Sequence, residues 1–185
     1  MINELDFKIL DWIQQNCRNE VMDFIMPKVT FLGNLGLLWI VVSVVFLMIK
    51  KHRKCGITLS FGLVFSFLAV NVIMKNLIAR SRPCWINDDI EMLIAIPRDY
   101  SFPSGHTLFG FLAAVIIISY DKRFGIPAFL IAFAIAFSRM YLYVHFPSDV
   151  LAGMILGIAI GIFSVLVMKK IMLRYEEKKL TSIAG

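Results

Sequence analysis

The sequence predicts an all-α integral membrane protein: a bundle of about five transmembrane helices preceded by an interfacial amphipathic helix. Three observations predict it. The 185-residue chain is 59% hydrophobic and only 17% charged, where a typical soluble domain is about 45–50% apolar and about 25% charged. The apolar residues gather in several blocks close to the roughly 20 residues needed to cross a hydrocarbon core. The charges fall in the short segments between those blocks. The net charge of +6 therefore reads as the positive-inside pattern of a membrane protein, and nucleic acid is excluded as a partner.

The length suits one membrane-embedded domain, residues 1–185. Within it, 1–28 reads as an interfacial N-terminal segment, 75–149 holds the motifs with chemical content, and 169–185 is a cytoplasmic tail. Residues 3–17 have helical periodicity: Leu5, Ile9, Ile13 and Trp12 share one face, opposite Glu4, Lys8, Asp11 and Gln15. This helix is too polar to span, so it is expected on the bilayer surface. A second piece starts near 20 and runs through Pro27. Spans follow at about 30–49, 56–78, 104–120, 125–143 and 149–168. Between the second and third lies a polar stretch, 79–103, rich in Arg, Asp and Pro. Lys and Arg concentrate in 50–54, 122–123 and 169–179, which hold eleven of the nineteen. Those segments are placed inside, which puts the C-terminus in the cytoplasm and the 79–103 and 143–149 connections outside. An odd number of spans then leaves the N-terminus outside.

Gly153, Gly157 and Gly161 recur every four residues on the last span. Such small residues let helices approach closely. Packing inside the bundle is the expectation, with a homodimer contact as the second reading. Cys17, Cys55 and Cys84 have neither CxxC nor metal-ligand spacing. The N-terminus carries Glu4, Asp6 and Lys8 in place of the basic start and apolar core of a cleavable signal.

Ionisable residues beside membrane spans are costly and call for a functional explanation. Here they gather at three places, all on the expected outer side: Lys75-x6-Arg82-Pro83, Pro103-Ser104-Gly105-His106, and Ser138-Arg139-x5-His145-x3-Asp149. Lys75, Arg82 and Arg139 supply three fixed cations, and guanidinium forks match phosphate oxygens in pairs. Ser104 is a natural N-cap, and Gly105 leaves a backbone N–H accessible at a helix start, an anion site in its own right. His145 lies four residues before Asp149. The carboxylate can take a hydrogen bond from one ring nitrogen and leave the other free to attack. His106 can protonate a leaving oxygen and then activate water. The sum describes a cradle for a tetrahedral phosphate dianion with a nucleophile and an acid on either side.

These three segments, KNLIARSRP at 75–83, PSGH at 103–106 and SRMYLYVHFPSD at 138–149, resemble the signature of the type 2 phosphatidic acid phosphatase family. That family includes bacterial undecaprenyl diphosphate phosphatases, lipid phosphate phosphatases and vanadium haloperoxidases. The resemblance implies that Lys75, Arg82, Ser104, Gly105 and Arg139 bind phosphate, that His106 is the general acid, and that His145 is the nucleophile with Asp149 as its partner. It implies metal-independent hydrolysis of a membrane lipid phosphate or diphosphate at the outer face of the cell membrane, with no cofactor. Short length and few spans resemble the undecaprenyl diphosphate branch most; phosphatidylglycerol phosphate and phosphatidate are the alternative substrates. The cations alone would also suit a non-catalytic phospholipid transporter, but binding needs no oriented nucleophile. The vanadium haloperoxidases that the resemblance brings in are larger and soluble, so the spans argue against halide oxidation. Asp88, Asp89 and Glu91 could be imagined around Mg²⁺, but they lie in a solvated loop and no metal is expected.

Overall fold

A computed structural model describes residues 4–184; Met1–Asn3 and Gly185, the extreme ends of the N-terminal segment and the tail, lie outside the described residues, as do the side chains of Asn71, Glu176 and residues 178–184, Lys178 and Lys179 among them. Every regular element among the described residues is helical. The α-helices in order are α1 (Glu4–Cys17), α2 (Glu20–Leu32), α3 (Leu37–Met48), α4 (Arg53–Ser66), α5 (Lys75–Ile78), α6 (Pro83–Ile86), α7 (Gly105–Tyr120), α8 (Lys122–Tyr141) and α9 (Pro147–Ala184).

α7 is the axis. Its residues from Gly105 to Ile117 are buried apart from His106, because α4, α8 and α9 pack around it. The α9 glycines serve this packing. A Cβ on Gly153 would lie 2.6 Å from the Ser104 carbonyl oxygen, and one on Gly157 2.5 Å from that of Leu108. The small-residue stripe is thus used within the chain, against α7. Away from this core, Val44, Leu68, Leu130, Leu151 and Leu166 are exposed. So large an apolar exterior is the surface a bilayer solvates, and the chain is a multi-pass membrane protein.

Against five expected spans, three segments among the described residues are long and apolar enough to cross: Lys50–Ile86, Lys122–Tyr141 and Pro147–Tyr175. A fourth arises if Glu20–Leu32 and Asn34–Met48, bent by 43°, count as one. The span expected at 30–49 is therefore interrupted. Leu35 (φ 51°) and Gly36 (φ 69°) both have left-handed backbone, which ends one helix and restarts another. The segment expected as the third span, α7, has only 16 residues. Burial within the bundle, rather than bilayer thickness, sets its surroundings. α4 continues through a widened π-helical segment, Phe67–Met74, into α5 and Lys75, a geometry frequent beside functional sites.

α1 forms where expected. Asp6, Leu10 and Ile13 are buried, while Leu5 and Trp12 are 58% and 59% exposed. Leu10 packs on Tyr143 and Phe146, and Ile13 joins Met26, Tyr141 and Val144. The helix thus braces the α8–α9 turn. Two further contacts align the ends of the bundle. The His52 ring meets Phe124 with centroids 5.4 Å apart, and Thr58 hydrogen-bonds Tyr120 at 2.8 Å. Lys169 also lies over Tyr120. The basic segments 50–54 and 122–123 and the start of 169–179 therefore share the end of the bundle remote from the N-terminus of α7.

Candidate active site

The α8–α9 turn sets the first part of the site. Arg139 is in the last turn of α8, and its carbonyl accepts the backbone N–H groups of Val144 (3.2 Å) and His145 (3.3 Å). Tyr143 takes a left-handed φ of 55° to make this reversal. Its ring is fully buried and its hydroxyl donates to Asp11 of α1 at 2.9 Å. α9 then starts at Pro147, a residue suited to a helix's first turn, and carries Asp149 to within 3.5 Å of His145 Nδ1.

Around His145 the hydrogen bonds fix its chemical form. Arg82 Nη1 lies 3.1 Å from Nε2. A guanidinium has only donors, so Nε2 must present a lone pair and Nδ1 must carry the proton. That proton faces Asp149 Oδ2 and Ser101 Oγ, the latter 3.4 Å away. Burial, and then the charges of Arg82, Arg139 and Lys75, push the imidazole well below its usual range. His145 is therefore neutral at neutral pH, with its free nitrogen aimed at the cations. Asp149 is held on every side: its Oδ2 accepts from Ser101 Oγ and from Phe146 N–H (2.9 Å), and its Oδ1 accepts from Arg80 at 2.5 Å.

The cations converge from three elements. Arg82, just before α6, is 2% exposed and uses its whole fork. It donates to the Asp99 carbonyl (2.7 Å), the Val144 carbonyl (2.7 Å), Asp99 Oδ1 (2.8 Å) and the Tyr100 carbonyl (3.3 Å), besides His145. Lys75 pairs with Asp99 Oδ2. Arg139 donates to Thr30 of α2 at 2.5 Å, while its Nε has no partner among the described residues. Across the gap, His106 in the first turn of α7 meets Asn34 Oδ1 at 3.0 Å. A cavity of about 400 Å³ is lined by Lys75, Arg82, Asp99, His106, Arg139 and His145, with Thr30 and Asn34. A second cavity of about 750 Å³, lined by Gly105, Lys75, Asp99, His106, Phe67 and Phe109, shares part of that wall.

Five of the eight residues singled out in the sequence thus line one cavity, and a sixth, Asp149, stands directly behind the His145 ring. Gly105 lines the adjoining space. Ser104 departs from expectation. It begins α7, but its hydroxyl makes no capping bond and instead accepts from Thr107 at 3.0 Å, fully buried. Its backbone N–H donates to the Asp149 carbonyl at 3.1 Å, which ties the two motifs together. Among the described residues no group of three or more His, Cys, Asp and Glu could hold a metal ion. Glu91 lies 3.6 Å from Arg18.

Sequence reasoning missed Asp99, Arg80, Asp6, Ser101, Thr30 and Asn34. Asp99 matters most to the cavity, since it bridges Lys75 and Arg82. Burial alone would raise its pKa, but these two cations bring it down to about 2, so it is ionised whenever the site is empty. The available signal was chemical: three buried cations in low dielectric need counter-charge when no anion is bound.

Comparison with known proteins gives the family. Residues 56–173 match the PAP2 superfamily, a range that contains all three motifs. An undecaprenyl-diphosphatase from Sulfolobus acidocaldarius is 33% identical over 162 residues, covering 86% of this chain and 75% of the relative. The undecaprenyl-diphosphatase BcrC of Bacillus subtilis is 28% identical, covering 77% and 73%. The crystal structure of Aquifex aeolicus LpxE superposes with a TM-score of 0.71 at 26% identity, over 88% of this chain and 96% of that one. With the family matched over most of the chain and its motifs gathered around one cavity, this protein belongs to the PAP2 superfamily and is a membrane-embedded phosphatase.

Proposed function

We propose that the protein hydrolyses the terminal phosphate of a polyprenyl diphosphate, with undecaprenyl diphosphate the leading candidate, through a phosphohistidine at position 145. The observation that carries this reading is the Arg82 Nη1 to His145 Nε2 contact of 3.1 Å, which places an unprotonated nucleophile against the cations that would hold the phosphate. The incoming phosphate displaces the Asp99 carboxylate and takes over Lys75, Arg82 and Arg139, with the N-terminus of α7 at Gly105 as a further anion site. With His106 protonated as the phosphate dianion binds, Nε2 attacks phosphorus in line, the bond to the leaving oxygen breaks, and His106 gives that oxygen its proton. His106 then takes a proton from water, whose oxygen attacks the phosphohistidine. Inorganic phosphate leaves and both histidines return to their starting forms. Transition-state charge is met by the three fixed cations, so no metal is required for this step.

The naming of two relatives supports the diphosphate. The grouping of basic segments at the far end of the bundle supports a cytoplasmic C-terminus and a site at the outer face, where the lipid tail can stay in the bilayer. A transporter would need the cations but not the oriented Nε2. Purified protein assayed side by side on undecaprenyl diphosphate, phosphatidylglycerol phosphate and phosphatidate, with and without EDTA, tests the reading. Fastest phosphate release from the diphosphate, unchanged by EDTA and inhibited by vanadate, is expected. Preference for either glycerol lipid would overturn the substrate, and loss of activity in EDTA the metal-free step.

The turn between α2 and α3 offers a second test. A Cβ on Gly33 would lie 2.6 Å from His106 Cδ2 and 2.9 Å from Ile135. Gly33→Ala therefore forces the ring off Asn34, and kcat should fall by on the order of 10²-fold, as for other small displacements of a catalytic group. Wild-type kcat in this variant would remove His106 from the acid role.

A further inference from the structure

The α1 helix reaches the catalytic carboxylate through a chain of buried charges. Asp6 is 5% exposed and accepts three hydrogen bonds: from Arg80 Nη2 at 2.8 Å, from Ser148 N–H at 3.0 Å and from Ser148 Oγ at 2.6 Å. The Ser148 N–H belongs to the first turn of α9, one of the donors a helix leaves without an internal partner. Asp6 therefore caps α9 from another helix. Arg80 lies between two carboxylates. Its Nη2 serves Asp6, while its Nη1 donates to Ser148 Oγ at 2.8 Å and to Asp149 Oδ1 at 2.5 Å. Its guanidinium sits 4.4 Å from the centre of the Phe146 ring, which closes the network on a third side. Asp149 itself is fully buried.

We infer that Asp6 and Arg80 are positioning residues for the phosphatase reaction: through Arg80, the N-terminal helix holds the Asp149 carboxylate in the one rotation that turns Oδ2 toward His145 Nδ1. The inference rests on the reading of His145 as nucleophile. Two features make the arrangement specific. Arg80 occupies Oδ1, leaving Oδ2 to Ser101, Phe146 N–H and the imidazole. The negative charge on Asp6 also shares the guanidinium, so Arg80 does not pull Asp149 away from the ring. The side chains of Asp6 and Arg80 make no hydrogen bond to Lys75, Arg82, Arg139 or His106 among the described residues. Disturbing them should therefore alter the chemical step and spare phosphate binding.

The experiment uses the full chain in detergent, with the variants Asp6→Asn, Asp6→Glu, Arg80→Gln, the Asp6→Asn/Arg80→Gln double variant, and His145→Ala as reference. Asp6→Asn keeps size and shape, and thermal unfolding identifies any variant that is not folded. The expected result is a fall in kcat of about 10²-fold for Asp6→Asn and Arg80→Gln. KM and the inhibition constant for orthovanadate should stay within about twofold, because no interaction made in the ground state is lost. The double variant should be no worse than the poorer single one, as for residues acting as a unit. Asp6→Glu should recover part of the loss. Wild-type kcat in Asp6→Asn, or a loss of vanadate inhibition parallel to the loss of kcat, overturns the positioning role. If His145→Ala retains turnover, the nucleophile assignment itself fails and takes this inference with it. If that reference is inactive while Asp6→Asn is normal, only the inference fails.

Discussion

Alanine at position 145 should lower phosphate release by roughly 10⁴-fold or more, the scale seen when an enzyme loses its nucleophile, while leaving the bundle folded. The imidazole is 1% exposed, so its removal opens a small void and frees one donor of Arg82. That donor retains the Val144 carbonyl, and Asp99 still neutralises the fork. The stability cost is therefore modest, about 1–3 kcal/mol for one unmade buried hydrogen bond. Binding of phosphate-like anions should persist, since Lys75, Arg139 and Arg82 all remain. The diagnostic pattern is orthovanadate still bound with turnover gone, measured by phosphate release and by protection against thermal unfolding. Turnover within about tenfold of wild type would reject the role.

Asn in place of Asp149 should cost about 10⁴-fold in kcat, as other tautomer-breaking changes do, for a separate reason. The carboxylate only accepts, taking bonds from Ser101, Phe146 N–H and Arg80. An amide offers one oxygen and one NH₂. With the oxygen given to Arg80, the NH₂ would confront the Phe146 N–H, the Ser101 hydroxyl and the Nδ1 proton. The ring escapes by moving its proton to Nε2, where it meets Arg82, a group that cannot accept. The nucleophilic lone pair is then lost and the contact with Arg82 becomes repulsive. Wild-type kcat in Asp149→Asn, measured under saturating substrate, would show that the carboxylate does not set the tautomer.

The half of the site proposed to bind phosphate was legible because phosphate chemistry restricts residue types and helix termini restrict their places. Lys75, Arg82, His106, Arg139 and His145 could be named from spacing, and they line one cavity. The supporting half was not legible. Asp99 is 24 residues from Lys75 in a loop without periodicity, and nothing local indicates that it turns back onto the cations. Asp6 is buried with Leu10 and Ile13, but Ile13 also belongs to the apolar stripe of Leu5, Ile9 and Trp12 on the same helix. In water the apolar stripe is the inner one. Beside a bilayer both sides of a helix can be apolar, so periodicity does not separate lipid from core. The Gly33–Gly36 break was hidden for a related reason: a window of mean hydropathy runs across two glycines whose left-handed or cramped backbone ends a helix. Ser104 shows the limit of residue-type rules, since its place at the start of α7 was right and its capping bond is absent.

Covalent transfer of phosphate to one nitrogen can be observed directly. Wild-type enzyme mixed with lipid diphosphate labelled in its terminal phosphate, quenched in base within a turnover and digested, should carry the label on the peptide containing His145. The label should be absent from His145→Ala. Label on any other residue, or transfer of phosphate to water with no labelled peptide under conditions that preserve phosphohistidine, would contradict it.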